Sequence, residues 1–221
     1  MTSRRDPTRR DPNRRDPNRR DLLRDTAIAV LAAEGGRGLT HRAVDRGAGV
    51  PEGTTKNYFP TRDALLGAAA ARMTSLHAEA VDRLRATTPP GVSADQVAGL
   101  YPALLRRAVA DDPTQFLAMV ELYLEAVRRP GVREALGRMV VANAGAGAAL
   151  HRVAGLPGSA RDAALLDAYF LGVAISLLAL PEDALGQVGL DDPVDLGLGL
   201  FRAAVEHQGD DRGGPGDDST R

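Results

Sequence analysis

The chain has 221 residues, 43% of them hydrophobic, and a formal net charge of −1, which is enough to bury a sizeable core in one or two domains. With no cysteine, disulfides and thiolate metal sites are excluded, and no uninterrupted apolar run approaches the roughly 18 residues that would span a bilayer. The near-neutral total hides an asymmetry: residues 1–78 hold 15 Lys and Arg against 9 Asp and Glu, and the remainder 13 against 20. A charged, proline-punctuated start lacks the apolar centre of a signal peptide, so a cytoplasmic protein is expected.

Residues 1–18 repeat RRDPT, RRDPN, RRDPN. A proline every fifth residue removes backbone donors and pushes its predecessor out of helical space, which predicts an extended, disordered arm. Its arginines read in two ways: as groups that follow phosphates or enter a narrow minor groove, or as a low-complexity extension without a role. Asp6, Asp11 and Asp16 blunt its field and favour the second. Asp21 to Glu34 then places Leu23, Ala27, Val30 and Leu31 on one face of a first helix ending at Gly35-Gly36.

Thr40 is a good N-cap for a short helix from His41 to Ala48. Gly49 suits the left-handed turn that ends a helix sharply, and Pro51 suits the first turn of the next. In that second helix Val50, Thr54 and Tyr58 recur at i, i+4, i+8 and are expected to face inward, turning Glu52, Thr55 and Lys56 outward. The outer face is short and polar, Gly53 allows close backbone approach, and a helix of this size fits the major groove. Helix, tight turn and recognition helix is the predicted arrangement.

These residues resemble the DNA-binding domain of the TetR family of transcriptional regulators: Leu39-Thr40, Ala48-Gly49-Val50-Pro51, Gly53-Thr54, Tyr58-Phe59-Pro60, Thr61-Arg62-Asp63 and Leu65, over about Arg19 to Met73. The family usually has an aromatic residue where this chain has Lys56, and a lysine at the place of Arg62. The resemblance implies an all-α chain with a three-helix helix-turn-helix domain at 19–78. A helical-bundle domain for effector binding and dimerisation would follow at 79–207, about nine helices in all. The DNA-contacting set is then Thr40, His41, Arg42, Pro51, Glu52, Gly53, Thr54, Thr55, Lys56, Asn57, Tyr58 and Arg62. Glu52, Thr55 and Lys56 would read bases, and Thr40, Tyr58 and Arg62 would hold the backbone. His41 either contacts DNA or lies on a solvated helix.

The helix from Thr61 is long enough to leave the first domain and enter the second, a rod through which a shift can reach the recognition helix. After Pro89-Pro90-Gly91, helices are predicted over about 93–110, 113–129, 132–153, 160–180 and 193–207, with breakers at Asp111-Asp112, Pro130-Gly131, 155–158 and 181–192. Residues 208–221 are expected to be disordered. Tyr101, Phe116, Met119, Tyr123, Met139 and Asn143 lie on helices that enclose the effector cavity in the resembled family, although such residues are commonly core. Pro102 is expected to kink its helix and open space. The segment 163–180 is apolar nearly all round. Leu166, Tyr169, Phe170, Val173 and Leu177, with Phe201 and Val205 of the last helix, are expected in a four-helix dimer interface, or alternatively buried within one subunit.

No catalytic constellation appears. His41, His77, His151 and His207 are scattered without metal-ligand spacing, and Gly145 and Gly147 lack the strand that a dinucleotide loop requires. The sequence therefore reads as a homodimeric, non-enzymatic repressor without metal or cofactor, binding a near-palindromic operator and released by a small molecule, with no membrane partner. The alternatives are an activator or effector-independent regulator on the same fold, and a ligand carrier or enzyme with a vestigial DNA-binding domain.

Overall fold

A computed structural model describes residues 16–87, 94–153 and 159–210. Among them every regular element is helical. Helix α1 spans Pro17–Gly38, and Asp16 caps it by accepting from the Asn18 N–H at 3.0 Å. The last Asp-Pro of the repeat is thus an N-cap followed by proline at the first helical position, where its missing donor costs nothing. The helix begins inside the stretch expected to close the arm. Its inward face carries Leu23, Ala27, Ile28, Val30 and Leu31, and it breaks at Gly35, whose φ of 68° favours glycine.

Helices α2 (His41–Gly47) and α3 (Thr54–Tyr58) form the helix-turn-helix, and α4 (Arg62–Thr87) packs against α1. Arg72 of α4 grips the Asp25 carboxylate of α1 through two nitrogens at 2.7 and 3.2 Å. The planar fork fixes the α1–α4 orientation as well as the distance.

The rest of the chain contributes α5 (Ala94–Ala98), α6 (Leu100–Arg106), a π-helical turn at Arg107–Asp111, α7 (Thr114–Arg128) and α8 (Pro130–Val153). Then come α9 (Ala160–Ala179), α10 (Glu182–Val188) and α11 (Pro193–Asp210). Three expectations are corrected here. The helix predicted over 93–110 is divided at Gly99, and Pro102, in the first turn of α6, kinks nothing because its N–H would be unpaired there in any case. Instead Gly197 of α11 comes so close that an added Cβ would lie 2.6 Å from the Pro102 nitrogen. The stretch 181–192, read as a breaker, contains α10, closed by Gly189 at φ 71°.

One buried cluster runs without a seam from Leu23, Leu31, Val44, Phe59 and Leu65 to Ala118, Leu122, Val132 and Met139, so α7 and α8 share the core of α1–α4. Helix α7 has two working faces. Ala118, Leu122 and Ala126 are buried toward α1, while Phe116, Met119 and Val120 join a second cluster with Leu105, Phe170 and Ala174. Helix α9 is long and apolar enough to cross a membrane by length and composition alone. In the fold it packs against α8 and α11 and carries Asp167 at mid-length.

Candidate DNA interface and its connection to the helical core

The helix-turn-helix is held by one buried carboxylate. Thr40 caps α2 as expected, accepting from the Ala43 N–H at 3.1 Å, and Gly49 turns the chain at φ 63°. Asp45, only 3% exposed, accepts from the Gly53 N–H at 2.7 Å, the Thr55 N–H at 2.7 Å and the Thr55 hydroxyl at 2.5 Å. An anion at the start of α3 satisfies the donors that a helix leaves unpaired there. Gly53, at φ 90°, is the residue before the first turn. Helix α3 therefore begins at Thr54 rather than at Pro51, and Pro51, Glu52 and Gly53 form the turn that leads into it.

This arrangement corrects one expected base reader. Thr55 has no exposed surface and its hydroxyl is committed to Asp45, so it cannot reach a groove. Pro51, Glu52, Lys56 and Asn57 are exposed, while Gly53, Thr54 and Tyr58 are half-buried. Glu52 accepts from Arg42 at 2.6 Å in an open ion pair, whereas Lys56 has no partner among the described residues. His41 donates from Nε2 to the Phe59 carbonyl at 2.7 Å, which leaves only its other ring nitrogen for a partner. Arg20 lies over the Phe59 ring, 5.2 Å from its centroid, and braces the same corner.

Arg62 is the second correction. Its guanidinium donates to the Leu39 and Gly36 carbonyls and, at 3.3 Å, to Glu125 of α7. These bonds tie it within the chain. Around it Glu121 accepts from the Gly36 N–H at 2.7 Å, and Arg129 donates at 2.6 Å to both Glu125 and Asp63. Burial alone would push the Glu125 carboxyl up, but the hydrogen bond from Arg129 and the two guanidinium charges hold it below the usual carboxylate range. Thus α7 grasps both the α1–α2 junction and the first turn of α4. Sequence reasoning missed Glu121, Glu125 and Arg129, whose partners lie far away in the chain.

Of the expected effector-site residues, Phe116 and Met139 are buried in the two core clusters and Met119 is half-buried between them. Tyr101 and Asn143 are half-buried in a more polar region, and Tyr123 is exposed on α7. The Tyr101 hydroxyl and His151 Nε2 share a 2.6 Å hydrogen bond. Asn143 Oδ1 is buried without a partner. Desolvation first, and then the nearby Asp167 carboxylate, raise both tyrosine hydroxyls above the usual phenol range.

The expected dimer residues divide. Leu166 and Phe201 are buried within the chain, Phe201 against Tyr101 with ring centroids 5.5 Å apart. Phe170, Val173 and Leu177 are half-buried in the second cluster, and the side chain of Val205 lies outside the described residues. Tyr169 is 49% exposed and borders a groove of about 560 Å³ with Gly172, Val173, Ser176, Leu196 and Gly199.

Residues 92–206 match the family model described as the tetracyclin repressor-like C-terminal domain. No curated protein matches the chain. Among solved structures, the chain is similar to a member of the TetR family from Streptomyces coelicolor A3, at 25% identity and a TM-score of 0.61, covering 86% of this chain and 99% of that one. It is also similar to the multidrug binding protein EbrR complexed with ethidium, at 26% identity and a TM-score of 0.60, covering 85% and 98%. GusR of Salmonella enterica shares the fold at 19% identity and a TM-score of 0.61, covering 87% and 98%.

Proposed function

The chain belongs to the TetR family of transcriptional regulators, and we propose on that footing that it is a cytoplasmic repressor. In this reading a homodimer holds a near-palindromic operator through the exposed face of α2 and α3 and is released when a small molecule occupies the interior between α6 and α9. Lys56 and Asn57 are the base-reading candidates. Thr40, Arg42 and the Pro51–Thr54 turn sit where phosphate contacts belong, and Glu52 chooses between a cytosine amino group and Arg42. Two-fold symmetry would present two α3 helices to successive major grooves about 34 Å apart. The Tyr169 groove is the proposed surface for the second copy: it is largely apolar, it borders the long apolar helix α9, and the family model covers it.

The observation that carries the regulatory part is the double role of α7. Its Glu121 and Glu125 hold Gly36 and Arg62 of the DNA-binding end, while Phe116, Met119 and Val120 look into the bundle. A ligand that displaces α7 disturbs both faces at once. To act, it must bind the two arrangements with different affinity, by about 1–3 kcal/mol for ordinary allosteric coupling. The likeness to EbrR complexed with ethidium supports a ligand-responsive interior.

The test is a salt series of binding to the DNA flanking the chain's own gene, with wild type and Lys56→Ala, followed by transcription from that DNA. Specific binding that Lys56→Ala weakens and makes less selective, with transcription falling as protein is added, is the expected result. Equal binding of the two proteins across sequences, or rising transcription, refutes it.

A further inference from the structure

Of the 28 lysine and arginine residues in the chain, 27 are arginine, and the single lysine is Lys56. A guanidinium stays protonated in proteins and has no lone pair to attack with, whereas the lysine amine gives up a proton and is a target of acylation. The chain therefore has one side-chain amine, and the fold sets it on the face assigned to DNA. The backbone on either side is pinned. Thr55, just before it, is fully buried and bonded to Asp45, and the Phe59 N–H donates to the Thr55 carbonyl at 2.8 Å. Lys56 itself is exposed and has no partner among the described residues. An acyl group added there breaks no contact of the folded chain.

Its charge matters more than one among 28 would. From His41 to Tyr58 the lysine and arginine side chains are Arg42, Arg46 and Lys56, set against Asp45 and Glu52, which leaves a formal excess of one positive charge. Arg42 is engaged by Glu52 at 2.6 Å and Arg46 by Glu34 of α1 at 3.6 Å. Among the described residues, Lys56 is thus the cation of this segment without a carboxylate partner. Turning its ammonium into an amide brings the segment to neutrality. Attraction to phosphates underlies all DNA binding, and a lysine at a base edge works through its N–H donors, so acylation strikes both contributions. A dimer reading two half-sites loses two such charges. An amine engaged with a base edge is also shielded from solvent, so the reaction selects protein that is off DNA.

We propose that Lys56 is an acetylation switch: an activated acetyl donor, an acyl phosphate or a thioester, modifies it while the protein is off DNA and holds the protein off. This rests on the regulator reading above and adds a chemical input at its DNA-reading face. The Lys56 ammonium first gives a proton to water. Its amine nitrogen then attacks the acetyl carbonyl, and the new C–N bond forms as the bond to the phosphate oxygen or thiolate sulfur breaks. Phosphate or thiolate leaves with the electron pair, and the nitrogen releases its second proton to water. The product is a neutral amide.

The test treats the full chain with acetyl phosphate or with acetyl-coenzyme A in separate arms, both free and after binding to operator DNA, and locates the acetyl group by mass spectrometry. Binding is then titrated by fluorescence anisotropy at fixed salt, beside Lys56→Arg, which keeps the charge without the amine, and Lys56→Gln, which carries a neutral amide. Lys56 of the free wild type is expected to be acetylated, the arm that succeeds identifying the donor, and prebound DNA is expected to protect it. Acetylated wild type should bind about tenfold or more weakly than untreated protein, as the loss of one base contact implies. Lys56→Gln should be weakened alike, with circular dichroism and the urea midpoint unchanged in both. Lys56→Arg, whatever its own affinity, should bind equally before and after treatment, which separates Lys56 from the α-amine that both proteins carry. The switch is overturned if neither donor modifies Lys56, or if free and bound protein are labelled alike. It is equally overturned if acetylated wild type binds within twofold of untreated, or if treated Lys56→Arg loses as much as wild type. Specific DNA binding by untreated wild type together with any of those outcomes removes the switch alone. No specific binding by untreated wild type removes the regulator reading and the switch with it.

Discussion

Replacing Arg62 by Met keeps the aliphatic stem and removes the guanidinium that joins three elements. It donates to the Leu39 and Gly36 carbonyls and to Glu125. A hydrogen bond from a charged group contributes about 1.5–3 kcal/mol, and one left unmade at a buried acceptor costs a similar amount. The Arg62 side chain is 29% exposed, so water partly replaces it at the carbonyls, and Glu125 keeps Arg129. The expected loss is about 2 kcal/mol, well short of the sum of three full bonds. Urea unfolding at fixed protein concentration reads that loss, since a dimer's stability depends on concentration. The operator salt series reads the other half. A phosphate contact contributes about −0.9 to the slope of log K against log salt, so a tie within the chain leaves the slope unchanged even if affinity falls. A variant of unaltered stability whose slope is shallower by about one unit would refute the assignment and return Arg62 to the DNA.

Asp45→Ala strands three donors, two of them backbone N–H groups of the recognition turn, and is expected to cost about 3–4 kcal/mol and abolish operator binding; a loss below about 1 kcal/mol in urea unfolding would mean that the turn stands without its cap. Gly53→Ala meets no atom within 4 Å, so its cost comes only from the φ of 90° and is expected at about 1–2 kcal/mol, measured the same way. Glu125 has a depressed carboxyl, and its contribution is therefore present above the ordinary carboxylate range and lost as pH falls through that depressed value; Glu125→Gln should be less stable than wild type at pH 7, by a margin that shrinks as the solution is acidified. Asp167 runs the other way: its carboxyl is raised to about 6, so the favourable contribution is complete below about 4 and disappears as pH rises through 6. Because the side chain keeps accessible surface, solvent screening limits the gain, and Asp167→Asn should exceed wild type by about 1 kcal/mol at pH 7.5 and match it at pH 4.

The helix-turn-helix was legible because its determinants are local. Thr40, Gly49 and the apolar spacing of α1 each act on neighbours within four residues, and the predicted caps and faces are present in the fold. Val50 and Tyr58 pack against the core as expected, and Thr55, expected outward, was misassigned for a physical reason. Treating Pro51 as the first helical residue set the phase from Val50, but the positive φ of Gly53 restarts the helix at Thr54 and turns Thr55 inward to Asp45. Periodicity cannot detect a phase reset that depends on a carboxylate eight to ten residues away. Arg62 failed similarly: an arginine near a helix start fits a phosphate and a pair of carbonyls equally well, and only the approach of α7 decides.

These misses share a geometry, and it bears on how the chain works. Most of the corrected or overlooked residues lie where separate elements meet: Asp45 between α2 and α3, and Arg62 and Glu125 between α4 and α7. Local rules build the separate helices, while these few charged contacts decide their relative positions. A core of alanine and leucine without directional bonds tolerates small sliding of packed helices more readily than a bidentate or multiply bonded ion does. In the proposed reading regulation has its point of attack at α7, whose apolar face would yield to a ligand while its polar face, bonded to Gly36 and Arg62, would transmit the displacement. Severing that polar face should leave ligand binding intact and uncouple it from DNA.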